Sequence, residues 1–128
     1  MSGDYKETKR GSLISSFSYA TKGIIYAVIH ERNMKIHIFS GLLVIAFSLY
    51  FQIRVYEWVI VILLIGGMLA LEMVNTAIEQ LVNLVTREVH PVAKIVKDVA
   101  AGAVFVYALT TVIIGLIIFI PYLVQLIS

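Results

Sequence analysis

Three stretches of this chain, about 36–53, 58–86 and 99–127, carry apolar residues over lengths that match the roughly 20 helical residues needed to cross a hydrocarbon core. They predict membrane-spanning helices, and composition agrees. Of 128 residues, 60% are hydrophobic and 14% charged, and the mean hydropathy is +0.95. That balance excludes a disordered chain and, at this length, a multidomain enzyme with a separate nucleotide-binding lobe. None of the stretches reads as a cleaved signal peptide, because the first begins well inside the chain and no small-residue cleavage site follows a charged start. With no cysteine there is no disulfide framework, thiolate nucleophile or Cys-ligated zinc.

Charge orients the spans. Lys6, Lys9, Arg10, Lys22, Arg32 and Lys35 precede the first span, and Arg87, Lys94 and Lys97 lie between the second and third. The turn between the first two offers only Arg54 against Glu57, and nothing basic follows the third. The positive-inside bias therefore predicts a multi-pass cell-membrane protein with a cytoplasmic N-terminus and an outside C-terminus. The net charge of +2, set at membrane boundaries, does not point to nucleic acid.

Residues 1–11 form a polar tail. Over 12–32, Leu13, Phe17, Ala20, Ile24, Ala27 and Val28 recur at three- and four-residue spacing opposite Ser15, Ser18 and Lys22, predicting an amphipathic surface helix. Ile25 and Ile29 interrupt its polar side, so burial against the bundle and contact with lipid both remain open. Glu31 continues the apolar stripe and should face inward. Pro91 is expected to break the cytoplasmic loop ahead of the third span. Trp58, Tyr50, Tyr56 and Tyr122 suit an outer aromatic belt.

The second span carries the chemistry. At about 100° per residue, Glu72, Asn75, Glu79 and Asn83 fall within an arc of about 80° on one helix face. If the span starts near Trp58, Glu72 lies about 21 Å along it, some two thirds through a core about 30 Å thick, with Glu79 two turns deeper. A carboxylate there costs on the order of 2–3.5 kcal/mol near the centre if it meets lipid, so the ridge must face protein, water or metal. Interhelical amide bonds account equally well for Asn75 and Asn83. Two acids with no basic residue in their own span call for more than structural glue. Lys97 and Asp98, with Lys94, open the third span, either as flanking charge or as a contact for phosphate and its metal.

The G-x-x-x-x-G-K-[ST], G-x-G-x-x-G and H-E-x-x-H patterns are absent. His30, His37 and His90 are too scattered to form a metal site by spacing, and each reads as an interfacial hydrogen-bonder, with His90 beside Glu88 the least dismissible.

The run Glu72-Met73-Val74-Asn75-Thr76-Ala77-Ile78-Glu79-Gln80-Leu81-Val82-Asn83 resembles the signature of the small prokaryotic diacylglycerol kinase family. Lys22-Gly23, Glu31-Arg32-Asn33, Glu88-x-His90 and Lys97-Asp98-Val99-Ala100-Ala101-Gly102-Ala103 extend the resemblance over about 12–120. It implies three transmembrane helices plus an N-terminal surface helix, a homotrimer with shared sites, and transfer of the γ-phosphoryl of ATP to a membrane lipid hydroxyl. By the same resemblance, Glu72 is the general base and Glu31 and Glu79 hold Mg2+ on the ATP phosphates. Tyr19, Glu88, His90, Lys97 and Asp98 would join those two in contacting the nucleotide. The family pattern ends in Asp where this chain has Asn83, which puts any ionic contact there in doubt. The segments around Glu31–His37 and His90–Lys94 look like the Gram-positive branch, whose members phosphorylate undecaprenol rather than diacylglycerol. A small oligomeric cation or proton channel would use the same acids, but the outer third of the second span is uniformly apolar. A non-enzymatic membrane partner would need only the amphipathic helix.

Overall fold

The structure, a computed structural model, describes residues 11–128; residues 1–10 of the expected polar tail lie outside it. The described residues form four helices and no strand: α1 Ser12–His30, α2 Arg32–Phe51, α3 Val55–Val85 and α4 Pro91–Ile127. All four, α1 included, are long and apolar enough to cross a membrane. With 31 and 37 residues, α3 and α4 run about 46 and 55 Å, well beyond a core about 30 Å thick.

Each boundary has a local cause. A single residue separates α1 from α2: Glu31 is extended (φ −106°, ψ 117°), while its N–H still bonds Ala27 O at 3.0 Å. After α2 the chain reverses through Gln52 in the left-handed region (φ 51°), where glycine is the usual occupant. There the N–H groups of Gln52 and Ile53 close onto Leu49 O and Ser48 O, both at 3.3 Å. At the start of α3, Glu57 folds back to accept the Arg54 N–H at 2.9 Å, as a capping box does. The same carboxylate accepts the Tyr122 hydroxyl from α4. So Glu57, which balances Arg54 by charge in the sequence, is buried as a helix cap and an interhelical tie.

Pro91 does not interrupt a loop. It is the first residue of α4, where its fixed φ and missing N–H cost nothing, and the His90 ring accepts the Val92 N–H at 3.1 Å as the cap. Lys94, Lys97 and Asp98 therefore stand on the first turns of α4 rather than ahead of it.

Helix α3 is flanked by α2 and α4 and packs on both, and α1 touches α2 and α3. Ile53, Val61 and Ile118 make a small core at the Gln52 end, with Phe51, Trp58, Phe119 and Tyr122 against it. Mid-bundle, α3 and α4 meet closely at Gly67. The Tyr107 hydroxyl crosses there to donate to Leu63 O at 3.1 Å, and a Cβ on Gly67 would overlap the Tyr107 ring. Along α1 only Ala27 is buried. Leu13, Phe17 and Ile24 of the stripe are exposed, as are Ile14, Ile25 and Ile29 off it, so this face is not buried within the protomer.

Gly67→Ala is expected to destabilise the bundle by about 1–3 kcal/mol, the usual cost of overpacking. Combined with Tyr107→Ala, the loss should be less than the sum of the two single losses. Unfolding in detergent, followed by circular dichroism, measures both.

Candidate active site

Burial along the ridge is graded. Glu72 is 1% and Asn75 6% exposed, while Glu79 and Asn83, one and two turns beyond Asn75, are half-buried. The face that points to protein at Glu72 thus opens toward the α3–α4 connection. Asn75 Nδ2 donates to Glu79 Oε1 at 3.4 Å, bridging one turn of the ridge. Thr76, which lies beside the ridge, is also buried.

Three buried atoms here have no hydrogen-bond partner among the described residues: Glu72 Oε2, Asn75 Oδ1 and Thr76 Oγ1. Leaving a buried polar group unsatisfied costs on the order of 1–3 kcal/mol, and more for a charged one. Three within five residues of one helix call for partners outside this protomer, such as water, an ion or a ligand's polar atoms.

His37 of α2 faces this cluster, its Nε2 lying 3.7 Å from Glu72 Oε2. From spacing alone His37 reads as an interfacial hydrogen-bonder. A signal was available: the tight turn at Gln52–Arg54 makes α2 and α3 antiparallel neighbours, so residues at similar distances from it come level. His37 lies sixteen residues before Ile53 and Glu72 nineteen after it.

Beyond Asn83 the ridge runs into a recess of about 250 Å³ lined by the end of α3, the connection and the start of α4. Asn83, Glu88, His90, Lys94, Lys97 and Asp98 all border it. Lys97 Nζ donates to Asn83 Oδ1 at 2.7 Å, so the amide that replaces the expected acid serves as an acceptor. Lys94 Nζ lies 2.6 Å from Asp98 Oδ2. The hydrogen bond to Asp98, with its negative charge, raises the Lys94 pKa above its ordinary value. Both side chains are largely exposed, and such pairs contribute little to stability.

The remaining expected site residues stand apart from this recess. Tyr19 is exposed on α1 with Lys22 Nζ 5.8 Å from its ring centroid. Glu31 occupies the α1–α2 break, half-buried, and makes no side-chain cap hydrogen bond. Among the described residues no group of three His, Asp or Glu is placed to hold a metal ion. Separate carboxylates give too few donors for a metal held by protein alone, which usually takes at least three protein ligands. They fit Mg2+ carried on phosphates, which takes one or two carboxylates and completes its shell with phosphate oxygens and water.

The sequence pattern of the prokaryotic diacylglycerol kinase family matches residues 18–119, a span that holds the ridge, the recess and all three helix breaks. The chain belongs to that family. It is similar to the undecaprenol kinase of Bacillus subtilis (strain 168), 46% identical over 108 residues that cover 84% of this chain and 88% of the relative. It is also similar to a diacylglycerol kinase of Synechocystis, 38% identical over 116 residues covering 90% of this chain and 66% of that protein. A diacylglycerol kinase of Helicobacter pylori is 30% identical over 91 residues, 71% of each chain.

In this member of the family, the Lys97–Asn83 bond ties α3 to α4 at the recess. Asn83→Asp keeps an acceptor for Lys97 and should unfold at or above the wild-type midpoint. Asn83→Leu leaves a half-buried ammonium without its partner and should lose about 1–3 kcal/mol. Thermal unfolding in detergent compares the three chains.

Proposed function

We propose that this chain is an ATP-dependent kinase that transfers the γ-phosphoryl group to the hydroxyl of undecaprenol, giving undecaprenyl phosphate. The observation that carries the reading is Glu72, a carboxylate 1% exposed inside an apolar helix, with one oxygen unsatisfied. A group so placed suits a base that takes a proton from an alcohol arriving through lipid. The acceptor is read as undecaprenol from the Bacillus relative that bears that activity in its name, at 46% identity.

In this account α2, α3 and α4 span the membrane and α1 lies along the cytoplasmic interface, its exposed Leu13, Phe17 and Ile24 in lipid. The N-terminus is cytoplasmic, the C-terminus outside, and the recess opens to the cytoplasm. The unit is a homotrimer with sites shared between protomers, which would bring Tyr19 and the recess, apart in one chain, to a common nucleotide. The extensive apolar surface of α4, including Val99, Phe105, Val106 and Val112, leaves room for both lipid and sister helices.

The step needs little from the protein beyond placement and charge. Lys97, Asp98, His90 and Glu88 hold the nucleotide at the recess, Lys97 as a point charge on phosphate oxygen. Glu31 and Glu79 would hold Mg2+, which supplies neutralisation of the phosphate charge. Asn75 keeps the Glu79 carboxylate turned along the ridge. Glu72 accepts the hydroxyl proton as the alcohol oxygen bonds to the γ-phosphorus. The bond from that phosphorus to the β,γ-bridging oxygen breaks, and ADP leaves with the electron pair. Burial keeps water, the competing acceptor, away from the phosphoryl group.

Purified protein in lipid should transfer labelled phosphate from Mg-ATP to undecaprenol, and more readily than to diacylglycerol assayed beside it. Glu72→Gln should cost at least about 10²-fold, the usual share of a general base. Glu79→Gln should lose transfer to a similar extent, and both variants should keep the oligomer on size-exclusion chromatography. Full activity in both would remove the assigned roles, and a preference for diacylglycerol would reassign the acceptor.

A further inference from the structure

The distance from His37 Nε2 to Glu72 Oε2, 3.7 Å, is too long for a hydrogen bond and too short for two groups unrelated to each other. Both side chains are well packed, at 22% and 2% exposure, and Glu72 Oε2 has no other partner. A hydroxyl oxygen at about 2.8 Å from each would satisfy both, donating its proton to the carboxylate and accepting from the imidazole N–H, once the packing around Oε2 gives way to admit it.

His37 also borders a second feature. An apolar groove of about 560 Å³ runs from Ile36 and His37 between α2, α3 and α4 to Phe119 and Leu123 near the far end of the bundle. Gly41 and Gly115 keep parts of its wall low. The groove thus reaches the unsatisfied carboxylate through His37, whose imidazole is the only ring nitrogen bordering it among the described residues. A sister helix in the groove would cover apolar surface. A long-chain alcohol satisfies groove and carboxylate at once, its hydrocarbon in the groove and its terminal oxygen at Glu72.

Resting on the reading of this chain as a polyprenol kinase, we infer that His37 positions the acceptor: its Nε2–H, with the proton on that nitrogen, holds the alcohol oxygen against Glu72 while the prenyl chain lies along the α2–α3–α4 groove. In the transfer step the imidazole keeps its own proton. It orients the lone pair of the attacking oxygen, and the hydroxyl proton goes to Glu72 as described above.

The test is steady-state kinetics of the full chain in lipid with undecaprenol and Mg-ATP varied separately. His37→Leu should lower kcat/KM for undecaprenol at least about tenfold, the cost of one lost hydrogen bond to a polar group, with KM for ATP unchanged. His37→Gln, whose amide N–H falls near the place of Nε2, should recover most of that loss, which a purely packing role would not allow. If His37→Leu does not assemble, Gly115→Phe decides. A Cβ there meets nothing within 4 Å, so the ring should enter the groove, raising KM for undecaprenol and leaving KM for ATP alone. An active wild type whose undecaprenol kinetics are indifferent to the variant tested, or a loss shared equally by ATP, overturns the inference and leaves the kinase reading standing. A wild type that phosphorylates neither undecaprenol nor diacylglycerol overturns both.

Discussion

The bundle is organised around the cost of keeping a carboxylate in an apolar helix. Glu72 cannot meet lipid without a penalty of a few kcal/mol, so α3 must turn that face toward its neighbours. Asn75 and Thr76 are buried with it, and the face emerges only at Glu79 and Asn83. The position of α3 between α2 and α4 follows from this demand as much as from apolar packing, because the largest apolar faces of α4 stay exposed. At the opposite end a second buried acid, Glu57, accepts both the Arg54 N–H and the Tyr122 hydroxyl on its Oε1. The contrast is informative: one acid closes a helix end, and the other keeps an oxygen unsatisfied.

That difference connects packing to chemistry. A carboxylate oxygen that already accepts two hydrogen bonds holds helices together and is a poor base, whereas a buried one without a partner can bind a hydroxyl. The ridge then supplies continuity over about three turns, from Glu72, through the Asn75–Glu79 bridge, to Asn83 and Lys97 at the recess. In the proposed reaction, lipid and nucleotide approach from opposite ends of that line. A chain of this length can carry out phosphoryl transfer without a glycine-rich loop where helix faces do the positioning, as proposed above.

Much of this was legible in the sequence. The apolar stretches locate α2, α3 and α4, the polar spacing on α3 identifies the inward ridge, and the motif around Glu72–Asn83 points to the family that the match over 18–119 bears out. What escaped depends on register between helices. His37 meets Glu72 only because the Gln52 turn sets α2 antiparallel to α3, and Asn83 receives Lys97 only because α4 starts at Pro91 beside the end of α3. Pro91 read as a loop breaker because a proline says that a helix cannot continue through it, and says equally that one can begin there. The stripe on α1 read as a single face, yet its interruptions at Ile25 and Ile29 matter: within one protomer nearly the whole helix is exposed, and only lipid or a sister chain can cover it.

The most direct measurement of the central claim is photolabelling of the full chain in bilayers by a polyprenol carrying a diazirine next to its hydroxyl, with adducts mapped by peptide mass spectrometry. The account predicts adducts on the α3 segment that contains Glu72, displaced by excess undecaprenol. Adducts confined to the exposed faces of α1 and α4, with the Glu72 segment unlabelled, would contradict it.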